Sequence, residues 1–99
     1  MYAVIFKASI KKLDQVYLDT SERMRELAQN KYGCVDFTSL TENRQDEIHE
    51  LTISYWETLE QIEAWKQDKQ HQAAQQRGKT DWYKSYQVEI VEIIKNYKS

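Results

Sequence analysis

The order of apolar segments and helical repeats constrains this chain most. Segments rich in β-branched and aromatic residues alternate between two sides, which is typical of strands. Two longer stretches repeat apolar residues every three or four positions, which is typical of helices. The predicted strands are 2–8, 35–40, 50–56 and 87–94, with helices from Asp14 to about Lys31 and from Thr58 to Gly78. We therefore expect one domain over residues 1–99, in the order strand, helix, strand, strand, helix, strand.

This order predicts a ferredoxin-like α+β fold (βαββαβ), in which two helices cover one face of an antiparallel sheet. The last strand indicates that the other face needs a cover as well. Val88 and Ile90 point to one side of it, whereas Val91 and Ile93 point to the other. Because one layer of helices cannot bury both sets, we expect a homodimer whose sheets pack face to face.

Local signals mark where the helices begin. Asp14 is placed to cap the first helix. Thr58, followed three residues later by Gln61, has the spacing of a capping box and is expected to open the second helix. That helix is expected to bend or restart near residues 68–70, where polar residues interrupt its apolar stripe.

Turns are indicated by glycines and polar runs. Gly33 and Gly78 follow the two helical patterns, at positions where a left-handed residue commonly ends a helix. The polar stretch 41–47 is expected to be a hairpin loop between the second and third strands.

Composition excludes several classes of function. The chain has 14 Lys and Arg against 16 Asp and Glu, so it lacks the basic field of a nucleic-acid-binding protein. It has no apolar run near the ~20 residues that span a membrane, and no signal-peptide pattern at its start. A single cysteine, Cys34, cannot form an internal disulfide, so we expect a reducing compartment, the cytoplasm. No metal-ligand spacing, phosphate loop or nucleophile motif is present.

Three segments together carry a family resemblance: GCVDF after the first helix, ISYWETLEQIEAWKQDKQHQAAQQRG, and DWYKSYQVEIVEI near the end. They make the chain similar, over nearly its whole length, to the antibiotic biosynthesis monooxygenase (ABM) domain family. The resemblance implies a ferredoxin-like fold and a homodimer that forms an α+β barrel. It also implies an activity, since members of this family include monooxygenases that oxidise polycyclic aromatic substrates with dioxygen and without a cofactor.

A related branch of the family binds and degrades haem. In that branch a tryptophan is followed ten residues later by a histidine that ligates iron. Trp65 matches the tryptophan, but Gln75 stands at the histidine position, and His71, one turn earlier, is expected to point elsewhere. The asparagine that this branch carries in its first strand is also missing, since Phe6 and Lys7 stand there. Haem degradation is therefore disfavoured.

Aromatic residues are the main candidates for a binding pocket. Flat apolar ligands are held by aromatic walls with a few polar groups that fix orientation. The alternative is that these side chains fill the core and the dimer interface, where aromatics supply much of the burial. Trp56, at the corner between strand and helix, is expected to be structural. The predicted substrate-binding residues are Trp65, Trp82, Tyr83, Tyr86, Tyr55, Phe37 and Gln75.

His71 and Arg77 are the candidate catalytic residues. Histidine titrates near neutral pH and can move a proton, but the sequence favours a solvated His71 on the polar side of its helix, because no second titrating partner is visible. Arg77 could hold an anionic oxygen, or it could complement the helix C-terminus. Of the remaining candidates, His49 is expected to be exposed and Cys34 to be a small buried residue.

The predicted function is a monooxygenase that needs neither metal nor flavin. A phenol or hydroquinone would lose a proton and give an electron to dioxygen, while the protein excludes water and stabilises the anion. Its expected partners are a second copy of the chain and a small aromatic ligand. Two alternatives remain open at this point: a dimeric small-molecule-binding protein without catalytic activity, and a haem-binding relative.

Overall fold

The computed structural model describes all 99 residues and confirms the α+β fold with the expected order of elements. Four antiparallel strands form one sheet in the order β2-β3-β1-β4. No helix is long and apolar enough to cross a membrane. The elements are β1 (Tyr2–Ile10), α1 (Gln15–Lys31), β2 (Asp36–Arg44), β3 (Glu47–Trp56), α2 (Leu59–Gln67), α3 (Lys69–Arg77), a π-helical turn (Gly78–Trp82) and β4 (Tyr83–Glu92).

The predicted helix starts are confirmed. Asp14 caps α1, because its Oδ1 accepts a hydrogen bond from the backbone N–H of Tyr17 at 2.8 Å. At the start of α2, the Thr58 hydroxyl accepts from the Gln61 N–H at 3.1 Å, and the Gln61 side chain accepts from the Thr58 N–H at 3.2 Å. These caps satisfy N–H groups that have no partner within the helix.

The expected break in the second helix lies at Asp68, which separates α2 from α3. Its carboxylate accepts from the backbone N–H of Gln70 at 2.8 Å and from the Tyr32 hydroxyl at 2.5 Å. The hydrogen bond from Tyr32 holds the pKa of the Asp68 carboxyl below its usual value. Asp68 therefore starts a new helix and ties it to the end of α1.

The predicted hairpin loop at 41–47 is wrong. β2 and β3 stay paired as far as Arg44 and Glu47, and only Gln45 and Asp46 form the turn. Both turn residues have positive φ, 53° and 64°, as a two-residue type I′ turn requires. The polar side chains of residues 41–44 do not end β2, because the hydrogen bonds between paired strands are made by backbone groups. β4 likewise begins earlier than expected, at Tyr83.

The two glycines have different roles. Gly33 has φ +80°, so the left-handed conformation expected there is confirmed. Gly78 does not adopt that conformation; its φ is −59° and the chain continues into the π-helical turn. Glycine leaves room for the Tyr83 ring there, because a Cβ would lie 2.3 Å from Cε2 of that ring unless the ring moved.

Two buried clusters lie between the sheet and the helices. The smaller cluster consists of Ile10, Tyr17 and Trp82. The larger one consists of Val4, Ala28, Cys34, Phe37, Trp56, Ile62 and Trp65. Trp56 is fully buried and its Nε1 donates to Ser54 Oγ at 2.9 Å, so its structural role and the burial of Cys34 are confirmed. The space left between the clusters is the candidate site.

Candidate functional site

A cavity of about 140 Å³ lies between the sheet and the helical layer. Most of its wall is hydrophobic, and aromatic rings contribute from six elements. The lining residues with the most chemical character are Tyr17, Phe37, Glu50, Thr52, Trp65, Lys66, His71, Gln75, Trp82 and Tyr83. A cavity with apolar walls and few polar groups is the usual form of a small-molecule site.

Six of the predicted site residues line this cavity: Phe37, Trp65, His71, Gln75, Trp82 and Tyr83. His71 and Gln75 are four positions apart on α3 and both reach it. The expectation that His71 points elsewhere is therefore wrong, because residues at i and i+4 share one face of a helix.

Three predicted residues do not line the cavity. Arg77 is about half exposed, its Nε donates to Asp81 Oδ2 at 2.6 Å, and its guanidinium lies over the Trp82 ring at 5.5 Å. Tyr55 belongs to the sheet face opposite Trp56, because successive strand residues alternate sides. Tyr86 lies beyond the cavity wall, with its ring 6.1 Å from that of Phe6.

His71 is buried, with only 8% of its surface exposed, so the alternative of a solvated histidine is wrong. Its ring packs edge-on against Trp65, with 4.1 Å between centroids, and its Nδ1 has no hydrogen-bond partner. Burial lowers the pKa of His71 to about 4, although Asp68 opposes the shift. The imidazole is therefore neutral at physiological pH.

Glu50 is the site residue that the sequence interpretation missed. It is 6% exposed on β3 and lines the cavity. The Tyr17 hydroxyl donates to its Oε1, and Thr52 Oγ1 donates to its Oε2 at 3.3 Å. Burial raises the pKa of Glu50 to about 7, against the smaller lowering effect of Thr52. A carboxyl group that titrates near neutral pH is thus present at the cavity wall.

A signal for Glu50 was present in the alternation of its strand. Glu50, Thr52 and Ser54 share a face with Trp56, which was expected to be structural. Glu50 is buried because this face of β3 is the one that the helices cover.

Tyr83 completes the group around Glu50. Burial raises its pKa well above the usual value for a tyrosine, and the nearby charge of Glu50 adds to the shift. Its ring lies 6.1 Å from that of Tyr17, which in turn packs edge-on against Trp82 at 5.2 Å. Glu50 therefore accepts from the Tyr17 hydroxyl and lies near Tyr83, whose hydroxyl stays protonated at neutral pH.

The cavity wall also contains unpaired polar groups. The indole N–H groups of Trp65 and Trp82 are buried and have no hydrogen-bond partner in the protein. An unpaired buried donor costs about 1–3 kcal/mol, and an oxygen of a bound ligand is one partner that would remove this cost. No three His, Cys, Asp or Glu residues lie close enough together to hold a metal ion.

Comparison with known proteins identifies the family. The family model described as antibiotic biosynthesis monooxygenase matches residues 1–77, from β1 to the end of α3. The chain belongs to this family. A relative of known sequence, the uncharacterised protein YqjZ of Bacillus subtilis strain 168, is 35% identical over 92 residues, which cover 93% of this chain and 78% of the relative.

Solved structures of other proteins share the fold of this ABM-family chain at low sequence identity. SnoaB, a cofactor-independent oxygenase from Streptomyces nogalater, superposes with a TM-score of 0.75 at 8% identity, covering 99% of this chain and 97% of SnoaB. A Nitrosomonas europaea protein assigned provisionally to the antibiotic biosynthesis monooxygenases gives 0.74 at 16% identity, covering 94% and 89% of the two chains. At these identities the likeness establishes the fold alone.

Proposed function

We propose that this protein is a cofactor-independent monooxygenase that oxidises a single-ring phenol or hydroquinone with dioxygen. The observation that carries the proposal is the aromatic cavity with one carboxyl group in its wall, at Glu50. Membership of the ABM family and the fold shared with SnoaB, itself a cofactor-independent oxygenase, support it.

The size of the cavity favours a single ring over a polycyclic substrate. An engineered apolar cavity of roughly 150 Å³ binds benzene, and this cavity has about 140 Å³. Val88 and Ile90 line it from β4 and keep 44% and 43% of their surface exposed. Ring substituents therefore have room to extend toward β4.

The reaction requires no reductant other than the substrate. A phenol with a hydrogen para to its hydroxyl loses the O–H and C–H hydrogens and gains one oxygen atom, which gives a para-quinone. A hydroquinone likewise loses two hydrogens and gains one oxygen atom on a ring carbon, which gives a hydroxy-para-quinone. The second oxygen atom of dioxygen leaves as water with those two hydrogens. The substrate thus supplies all four electrons that reduce dioxygen. Its own oxidation to the quinone accounts for the same four electrons.

The cavity residues would bind and orient the ring. Trp65, Trp82 and Tyr83 supply aromatic walls, and Gln75 supplies a polar group for a substrate oxygen. Neutral His71 would hydrogen-bond to an oxygen rather than carry charge. Arg77 would act only indirectly, through the Trp82 ring on which it stacks.

Oxygen uptake tests the proposal. Purified protein with a chelator and without added cofactor is incubated with a panel of single-ring phenols and hydroquinones under ¹⁸O₂. We expect one ¹⁸O atom in the product and one dioxygen consumed per substrate. Ala74→Leu should abolish turnover by filling the cavity, whereas Ala73→Leu, at an exposed neighbouring position, should not. Equal uptake by both variants would contradict the proposal.

The second candidate function is a small-molecule-binding protein without catalytic activity, and the predominantly hydrophobic wall of the cavity favours it. Saturable ligand binding without oxygen uptake would support this alternative. The haem alternative has less support, because the cavity accommodates about one ring whereas haem contains four pyrrole rings.

We also propose that the active form is a homodimer. Ile5, Ile53 and Val91 lie on the sheet face that the helices do not cover, together with Leu40, which is 61% exposed. A second sheet packed on this face would bury these side chains, as the two-faced apolar pattern of β4 predicts.

A further inference from the structure

We infer, given the proposed function, that Glu50 accepts the hydroxyl proton of the bound phenol and that Tyr17 is a positioning residue that holds its carboxylate at the cavity. Neither residue belonged to the site predicted from the sequence. The two side chains meet in a hydrogen bond that joins α1 to β3 across 33 positions of the chain.

The hydrogen bonds of Glu50 leave it able to accept another. Tyr17 donates to Oε1 and Thr52 donates to Oε2, so each oxygen has one donor in the protein. A carboxylate oxygen accepts about two hydrogen bonds, which leaves a free position on each oxygen. Thr52 is itself held at 2.8 Å by the Ser39 hydroxyl. The carboxylate is therefore fixed by its neighbours but not saturated by them.

The other titratable groups of the cavity are poorly suited to accept this proton. The Tyr83 hydroxyl on β4 keeps its proton at neutral pH because burial raises its pKa, and the Tyr17 hydroxyl on α1 already donates to Glu50. Lys66 on α2 is the one cationic side chain of the wall. His71 on α3 is neutral but holds a proton weakly, because burial lowers its pKa to about 4. β1, β2 and the π-helical turn contribute only the apolar or aromatic residues Val4, Phe6, Phe37 and Trp82.

Glu50 has the proton affinity that the step needs. Burial raises its pKa to about 7, and a general base works best when its pKa lies near the operating pH. Transfer breaks the O–H bond of the phenol and forms an O–H bond on Glu50, so one negative charge moves within the cavity and none is added. This matters because a second buried charge would be strongly unfavourable. The proton on Glu50 then leaves with the water formed from dioxygen, which restores the carboxylate.

A binding experiment tests the contact without turnover. Phenol and toluene have nearly the same shape and differ in the hydroxyl, so their anaerobic affinities are compared by tryptophan fluorescence at pH values on both sides of 7. The ratio of the affinity for phenol to the affinity for toluene is measured in each protein. Above pH 7, this ratio should be about 10-fold or more higher in the wild type than in Glu50→Met. The excess should shrink below pH 7 as Glu50 becomes protonated. Glu26→Gln, at an exposed position on α1, is the matched control and should behave as the wild type.

A kinetic experiment tests the proton transfer. The value of kcat/KM should rise with pH through about 7 in the wild type. Glu50→Gln should lower kcat/KM about 10²–10⁴-fold and abolish its rise with pH, which is the ascending limb of the pH profile. Tyr17→Phe removes a hydrogen bond that favours the carboxylate, so the limb should move to higher pH, a shift that a purely structural role would not produce.

The outcomes separate the inference from the proposed function. Turnover with a limb near pH 4 that disappears in His71→Gln would overturn the role of Glu50 and leave the oxygenase intact. A phenol preference that depends on Glu50, without turnover of any substrate, would overturn the oxygenase and support Glu50 as the hydroxyl acceptor of a binding protein. A preference that is the same in Glu50→Met, or no binding of phenol to the wild type, would overturn the inference.

Discussion

The two faces of β3 differ in a way that reverses the usual distribution of polar and apolar residues. The face covered by the helices carries Glu50 and Thr52, whereas the uncovered face carries Leu51 and Ile53. Sheets with one covered face normally turn the apolar residues toward the helices. The reversal agrees with the two proposals made above, a binding site on the covered face of β3 and a dimer core on the uncovered face.

The covered face tolerates its polar residues because most of them are paired. Ser54 accepts from Trp56 Nε1, and Thr52 bonds to Ser39 and Glu50. The unsatisfied groups are Nδ1 of His71 and the indole nitrogens of Trp65 and Trp82, all from residues of the cavity wall. The buried polar atoms without a hydrogen-bond partner, which are the ones that cost stability, therefore lie in the wall of the cavity.

The largest effect should come from removing the main ring of the covered face, in Trp65→Ala. Trp65 is 7% exposed and its ring lies 5.1 Å from that of Trp56 and 6.3 Å from that of Phe37. We expect the free energy of unfolding in urea to fall by about 3–5 kcal/mol. Trp65→Phe, the control, should lose less. A loss well under 2 kcal/mol, with weakened binding of aromatic ligands, would show that Trp65 is a cavity wall rather than part of the core.

The next effect concerns the two buried titratable groups of the covered face. The raised pKa of Glu50, from 4.5 to about 7, means that the folded state binds a proton more tightly than the unfolded state. Stability therefore falls by roughly 3 kcal/mol as pH rises from about 4.5 to about 7. The lowered pKa of His71, from 6.5 to about 4, has the opposite sign, so stability rises by a similar amount over that range.

The two contributions should nearly cancel in the wild type and separate in single variants. Urea unfolding of Glu50→Gln should show stability that increases with pH between about 4 and 6.5, which leaves the contribution of His71. His71→Gln should show the reverse trend up to about pH 7. If both variants keep the pH dependence of the wild type, the two groups are not buried in solution as they are in this structure.

A charge on the uncovered face should test whether that face is half of a dimer core. Val91 lies opposite Ala3 on this face. We expect Val91→Asp to weaken dimerisation in sedimentation equilibrium by about 30-fold, or ~2 kcal/mol, because the charge would be buried without a partner. Leu18→Asp, at an exposed position on α1, should leave the dimer unchanged. A wild type that stays monomeric at micromolar concentration would refute the interface.

The smallest effect should come from the edge of the covered face, in Gly78→Ala. The added Cβ would lie 2.3 Å from the Tyr83 ring, which is only half-buried and can shift. We expect a loss of stability of about 1 kcal/mol together with weaker ligand binding. Gly33→Ala is the control, since its φ of +80° causes strain far from Tyr83 and should reduce stability without affecting binding.

Features that depend on neighbours in the chain were predictable. The caps at Asp14 and Thr58 and the helix break at Asp68 each involve groups within a few residues of one another. The turn at Gln45 and Asp46 was local as well, but neither residue is the Asn-Gly or Asp-Gly type that identifies a type I′ turn from sequence. The polar side chains around it therefore suggested a longer loop.

The site was predictable only in part. The aromatic content of the second half of the chain predicted a pocket with Trp65, Trp82 and Tyr83 in its wall, and these three side chains line the cavity, whereas their role in binding stays a prediction. Arg77 was expected at the site because it lies at the end of a helix and close in sequence to Gln75 and Trp82. Its position depends instead on Asp81, which holds the guanidinium on the outer side of Trp82.

By itself the sequence determined the order of the elements, their caps and which residues of each strand share a face, because these follow from local geometry and from alternation. Only the tertiary structure decided which face of β3 the helices cover. Alternation places Glu50 beside Trp56 on one side of the strand, but it does not say that Tyr17 of α1 will pack over that side. The burial that raises the pKa of Glu50 arises from that long-range contact, and so does its place in the candidate site.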